Sequence, residues 1–538
     1  METTKSNRRT FIKTSTLGAL GMITVPNVLT GCTSAESTKG TISEMYTQDG
    51  VKGLSFATPE SQGVPSDAIL EMLETLDSKQ VCLHSFILIR HGAVVAEGYW
   101  PPFHKDKFQR MYSVSKSFTS VAIGLMVTEG KLKLDDRIAD FFPEDIPANA
   151  HPFVLQATVR DLLTMSTFNP RSVPMQSGHT SVWSFLNSGE TLRPPGSIFA
   201  YDTQGTNTLA AIIEKKEGMP FLDYMRTKIL DPIGISKDVY CIQNTDGRSW
   251  SGSGVLCTTR DLARFALLCL NQGAFEGRQL VSKEYMQAAT SRQIDNTLGT
   301  NQAEMKYGYG YQFWCLRDGG FAGYGMGGQY CLCMPKYDAI LMTTGDAQLD
   351  SEGLGELLGA YMVLLQRMGD KMPDDAGAQR RLATKIESLT FRLPDGKLQS
   401  PAATRYNDKV FRMESNPMRL SDFRLSFKSD EAVLNYVNES GECSIRIGLG
   451  HYVPQSFPEP YSGKVSGIRD TYYDIVSAGA WTDENVFKCT IKAVDTYLGT
   501  IRMMFSFQGD IVCVQMVKQA EMFWDNYQGV GWGRVSFF

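Results

Sequence analysis

The stretch YSVSKSFTSVAIGLMVTEG (residues 112–130) places Ser113 and Lys116 three residues apart, where the chain turns apolar at helical spacing. Residues three apart share one helix face, so the lysine amine can reach the serine hydroxyl. Burial of a lysine without a counter-charge disfavours the ammonium form and makes the amine a usable base. A serine hydroxyl is a poor nucleophile until such a neighbour takes its proton. The N–H groups at a helix start also point toward developing negative charge. Ser113 is therefore the candidate nucleophile and Lys116 its proton acceptor. Ser115 lies about 200° around the helix and is not an equivalent candidate. Alone, the pair also fits a capping serine followed by a solvated lysine, so its companions must decide.

The elements that position the pair can be read around it. SDAILEMLETLDS (66–78) carries apolar residues at helical spacing, and HSFILIRHGAVVAEGYW (84–100) reads as two β runs about the turn RHG. Helical patterns follow in TVRDLLTMST, GTNTLAAIIEKKEG, PFLDYMRTKILDPIGI and TTRDLARFALLCLNQG. β character returns in YGYGYQFW, GGQYCLCMP and DAILMTTGD, before the helical LGELLGAYMVLLQRM (354–368). β segments first and last with helices between predict an α/β (α+β) domain. Its antiparallel sheet is drawn from both ends, flanked by helices, with an inserted helical subdomain. Past residue 370, DDAGAQRR reads as a linker. Short alternating runs such as AVLNYVN, CSIRIGLGHY and TIRMMFSFQG then predict a C-terminal antiparallel β-barrel or sandwich.

A chain of 538 residues is too long for one ordinary domain, and 42% apolar with 21% charged residues is a globular composition. A net charge of −5, with no basic run after the first dozen residues, excludes a nucleic-acid-binding surface. The N-terminus carries the twin arginines Arg8 and Arg9, then Phe11, Lys13, a short apolar run and the small-residue-then-cysteine pattern LTGC ending at Cys32. This order predicts a twin-arginine signal peptide over 1–31, with Cys32 acylated as a lipid anchor and a tether over 32–52. The protein is expected as an exported bacterial lipoprotein, held in the cell envelope and facing the periplasm or cell surface. The expected divisions beyond it are a catalytic domain over 53–370, a linker over 371–385 and a β-rich domain over 386–538. The ten other cysteines show no metal-ligand spacing. Export of an already folded chain favours unpaired thiols.

From about 55 to 365 the chain resembles the serine β-lactamase-like hydrolases: class C β-lactamases, DD-peptidases, family VIII esterases and 6-aminohexanoate-dimer hydrolases. The blocks stand in family order. YSVSKSFTSVAIGLMVTEGKLKLDDRIADFFP resembles the nucleophile helix, PPGSIFAYDTQGTNTLAAIIEKKEG the block with the second motif, and GYGMGGQYCLCMP the place of the third. The resemblance implies Ser113 and Lys116 as the catalytic pair. Tyr201 of AYDT implies a hydroxyl shared between Ser113, Lys116 and the leaving group. Thr203 stands where many relatives have asparagine, which changes what holds an acyl side chain. Gly323-Tyr324-Gly325 stands where β-lactamases have Lys-Thr-Gly. The backbone N–H groups of Ser113 and Met326 then form the oxyanion hole, while Thr203, Tyr324, Gly325, Gln329 and Tyr112 meet substrate. Without the motif lysine, hydrolysis of esters, amides or peptides is implied over efficient β-lactam hydrolysis. The C-terminal part resembles the lipocalin-like domains that some relatives append.

Rival chemistries lack their residues. No Gly-x-Ser-x-Gly elbow occurs, and the six histidines (84, 91, 104, 151, 179 and 451) form no ligand pair. No dinucleotide or phosphate loop precedes a helix, so a cofactor-free enzyme acting on a small ester, amide or peptide is expected. The alternative is a catalytically silent, surface-anchored binding protein on the same fold.

Overall fold

The structure, a computed structural model, describes residues 52–189, 192–300, 302–348, 353–462 and 471–536. The expected signal peptide, Cys32 and the tether as far as residue 51 lie outside the described residues. The mixed α/β part and a C-terminal β-barrel are both present.

The first sheet has seven strands in the order Ser55–Phe56, Ala93–Tyr99, Leu83–Arg90, Ala339–Gly345, Gln329–Met334, Phe321–Gly325 and Trp314–Cys315. Its centre joins the two ends of the domain: Leu83–Arg90 runs antiparallel to Ala339–Gly345, with Ile87 opposite Met342 and Ile89 opposite Ile340. Successive side chains of a strand face opposite ways. Ile87 and Ile89 pack with the helices Ser115–Thr128 and Thr259–Leu270, where Phe118 stacks on Phe265 at 3.8 Å. Phe86 and Leu88 pack on the other side with Ser66–Ser78 and Gly353–Arg367. Burial on both faces is why FILI and AILM read as unbroken apolar runs.

Two local expectations are corrected. YGYGYQFW (307–314) is mostly turn, with isolated bridges at Tyr309 and a strand only at Trp314–Cys315. Gly308 and Gln312 take φ values of 113° and 63°, which break an extended run. The linker expected over 371–385 is largely the helix Ala376–Glu387. Asp375 caps it by accepting from the N–H groups of Gly377 and Ala378, both at 2.9 Å. Its buried Ala378 and Leu382 pack toward Ser66–Ser78, and ion pairs join Arg381 to Asp67 and Lys385 to Asp77. The polar residues that suggest a linker are this helix's outer face and cap.

Of the two C-terminal architectures expected, the barrel is the one present. Ten strands run from Val410–Met413 to Gly529–Val535; nine form a barrel that closes where Gly448 and Leu449 pair in parallel with Ala478 and Gly479, and Val453–Ser456 pairs with Asp474–Asp483 beside that closure. Inward residues alternate with outward ones: Phe487, Cys489 and Ile491 are buried between the exposed or half-buried Lys488, Thr490 and Lys492. Closure leaves the nine strands no free edge. Barrel and sheet share buried surface, since Val476 and Val494 join the cluster that holds Phe86 and Trp100. The ten described cysteines are free thiols.

Candidate active site

Ser113 lies in the single 3-10 turn Tyr112–Val114, directly before the helix Ser115–Thr128. Tyr112 has φ 46°, a left-handed value that is costly for an aromatic residue. Lys116, in the first turn of the helix, is 1% exposed. Its Nζ has three oxygen neighbours: the Gly252 carbonyl at 2.6 Å, Thr203 Oγ1 at 3.1 Å and Ser113 Oγ at 3.1 Å. Burial pushes the Lys116 amine down to about 7, against the pull of Asp202 and Glu521. A neutral amine has two hydrogens and one lone pair. The Gly252 carbonyl can only accept, and Thr203 Oγ1 can take the second hydrogen, which leaves the lone pair facing the Ser113 hydroxyl.

Tyr201 precedes the helix Thr203–Glu217, which is capped by Asp202 through Gln204 N at 2.9 Å. Its ring stacks on Trp314 with centroids 5.6 Å apart, and Lys116 Nζ stands 4.9 Å from its centre. Burial raises the Tyr201 hydroxyl's pKa while the neighbouring Ser113 side chain draws it back, so the phenol stays protonated at neutral pH. Burial also raises the Asp202 carboxyl to about 6.

The third motif lies on the hairpin formed by Phe321–Gly325 and Gln329–Met334. A Cβ on Gly325 would stand 2.3 Å from the Met111 carbonyl oxygen and 3.3 Å from Ser113 N. Only glycine lets the strand lie this close to the Ser113 backbone. Met326 follows as the first residue of the turn. Tyr324 stacks on Tyr330 at 5.0 Å, and its hydroxyl accepts from Gln302 Nε2 at 3.4 Å.

Two residues expected to meet substrate are otherwise engaged. Gln329 is 1% exposed; its Nε2 donates to the carbonyls of Met326 and Gly345, both at 2.8 Å, and its Oε1 accepts from Gly345 N at 3.1 Å. It clamps the turn. Tyr112 is buried, and its hydroxyl accepts from Leu498 N of the barrel at 3.1 Å. Of the aromatic residues in the helix Ser181–Leu186, Trp183 stacks on His179 at 3.6 Å and Phe185 packs on Phe168 at 5.0 Å.

Sequence reasoning missed Gly252, Trp314 and Arg110. Arg110 is fully buried and donates to Ser253 O, Ser253 Oγ and Glu521 Oε2, each at 2.8 Å. Its guanidinium lies 4.2 Å from the ring centres of Tyr112 and Trp250 and 4.9 Å from that of Tyr497. It thus ties the residue before Ser113 and the loop after Gly252 to the barrel. The SGSG run (251–254) was the available signal: a Cβ on Gly252 would meet the Thr203 side chain at 2.7 Å.

Residues 83–354 match the family model described as Beta-lactamase. The chain belongs to the Beta-lactamase family. It is 27% identical over 311 residues to the 6-aminohexanoate-dimer hydrolase of Paenarthrobacter ureafaciens, covering 53% of this chain and 79% of the relative. It is 26% identical over 297 residues to penicillin-binding protein 4 of Amycolatopsis lactamdurans, covering 46% of this chain and 77% of that one. Among solved structures, the octameric penicillin-binding protein homologue from Pyrococcus abyssi is 17% identical, with a TM-score of 0.44 over 87% of this chain and 99% of that one.

Proposed function

We propose that the protein is a serine hydrolase that cleaves ester or amide bonds through an acyl-enzyme on Ser113. The observation that carries this reading is the buried Lys116 amine, brought to about 7 and held 3.1 Å from Ser113 Oγ by the Gly252 carbonyl and Thr203. Lys116 takes the Ser113 proton as Oγ attacks the substrate carbonyl. The N–H groups of Ser113 and Met326 receive the oxyanion, and Tyr201 passes a proton to the leaving group. Water then releases the acyl group. The chain has Gly323 where a substrate carboxylate would need a cation, which favours esters, peptides and amides over β-lactams; the amide-cleaving name of the dimer-hydrolase relative agrees. A fluorophosphonate probe should label the wild-type chain and not Ser113→Ala. Absence of labelling, together with no turnover on short-chain esters, nitrocefin and D-Ala-D-Ala peptides, would instead favour a binding protein on this fold.

We also infer export and lipid anchoring through Cys32, supported by the order of Arg8-Arg9, the apolar run and LTGC. Labelled palmitate fed to an expressing bacterium should enter the wild-type protein and not Cys32→Ala.

A further inference from the structure

Between the end of the first sheet and the outer face of the barrel lies a cavity of about 440 Å³. Ser113, Lys116, Tyr201 and the 325–328 turn are not among its lining residues. We infer that this cavity is a second binding site, for an organic monocarboxylate with an apolar body.

The charges of the lining decide the ligand's charge. Arg392 and Asp395 pair with each other at 3.0 Å, and Asp77 pairs with Lys385. Three charged groups remain: Lys492, Arg502 and Asp346. The Lys492 ammonium has one hydrogen-bond acceptor, Cys82 Sγ at 3.3 Å, and burial raises the pKa of that thiol, which stays neutral. Arg502 is exposed and, among the described residues, its side chain has no hydrogen-bond or ion-pair partner. Asp346 is 5% exposed and accepts from Thr500 Oγ1 at 2.6 Å. Two cations facing one carboxylate leave a single positive charge to be answered. One carboxylate satisfies it, and a guanidinium suits it by its fork of donors. A phosphate dianion would bring its second charge against Asp346.

The walls decide the ligand's body. Trp100 and Phe391 are almost wholly buried side chains that line the cavity, and Tyr452 joins them with its hydroxyl donated to the Arg392 carbonyl at 3.0 Å. Lys492 Nζ stands 5.5 Å from the centre of the Phe391 ring, so cation and aromatic wall adjoin and make a site of mixed character, as small-molecule sites usually are. The site is independent of the chemistry at Ser113, so it stands or falls separately from the proposed hydrolysis.

Benzoate titrated into the full chain in a calorimeter is the test, with phenyl phosphate as the dianionic comparison. Saturable one-to-one binding of benzoate is expected, weakened roughly tenfold or more in Arg502→Gln and in Lys492→Met. Arg502 is exposed, so its substitution leaves the fold intact. No benzoate binding up to about 50 mM, unchanged affinity in both variants, or tighter binding of phenyl phosphate than of benzoate would each overturn the assignment.

Discussion

At the scale of single residues, the proposed chemistry rests on one amine. Lys116 serves as a base only when neutral, and its value of about 7 puts the change within the working range. Below that pH the ammonium has no lone pair for the Ser113 proton, so kcat/KM on a good ester should fall as pH drops through about 7. Lys116→Ala should lose several orders of magnitude, and its residual rate should no longer show this limb; near-normal turnover would remove Lys116 from the mechanism. That Ser113, Lys116 and Tyr201 come together was legible in the sequence, because side-chain type and spacing mark them. The Gly252 carbonyl was not, since every residue has one and only the fold brings this one to Lys116, 136 positions away. Tyr112 and Gln329 were assigned to substrate because they adjoin motifs, and adjacency does not give direction. Tyr112 turns at φ 46° and sends its hydroxyl to the barrel, while Gln329 turns inward to Gly345.

At the scale of elements, the hairpin strand must lie against the turn that carries Ser113. Gly325→Ala places a methyl 2.3 Å from the Met111 carbonyl oxygen, which is backbone and cannot swing away. The strand must then retreat and take the Met326 N–H, the proposed oxyanion donor, with it. Displacing one oxyanion donor costs about 10²–10³ in kcat. The expected outcome is that loss with KM much less affected and the far-ultraviolet circular dichroism unchanged, measured by steady-state kinetics on one ester. Full activity would place the oxyanion elsewhere. The strands and most helices around this hairpin were legible from apolar spacing, because burial imposes a period on them. The Ala376–Glu387 helix was not, because its buried residues are Ala378, Leu382 and the polar Gln379, too few apolar positions to show a period, and its neighbour Ser66–Ser78 lies some 300 residues earlier in the chain.

At the scale of the whole molecule, the barrel reaches the neighbourhood of Ser113 by two routes: Leu498 N on the Tyr112 hydroxyl, and Glu521 on Arg110. A passive appendage and a working part of the site predict different pH behaviour. Glu521 raises the pKa of Lys116 and Arg110 lowers it, so the two charges act on the base with opposite signs. Glu521→Gln removes the raising charge and leaves Arg110 uncompensated, so the acid limb of kcat/KM should move to lower pH. Arg110→Met removes the lowering charge and leaves Glu521 uncompensated, so the limb should move to higher pH. The double variant should return near the wild-type position. Each single change also breaks an ion pair in which Arg110 is fully buried and Glu521 is 29% exposed. Partial solvation of the acid reduces the cost, and a loss of roughly 1–3 kcal/mol is expected in denaturant unfolding. Loss of stability alone would fit a barrel that merely packs, since it has no reason to move the limb in opposite directions. Opposite shifts that cancel in the double variant require that the barrel's carboxylate and the arginine it holds set the proton affinity of Lys116.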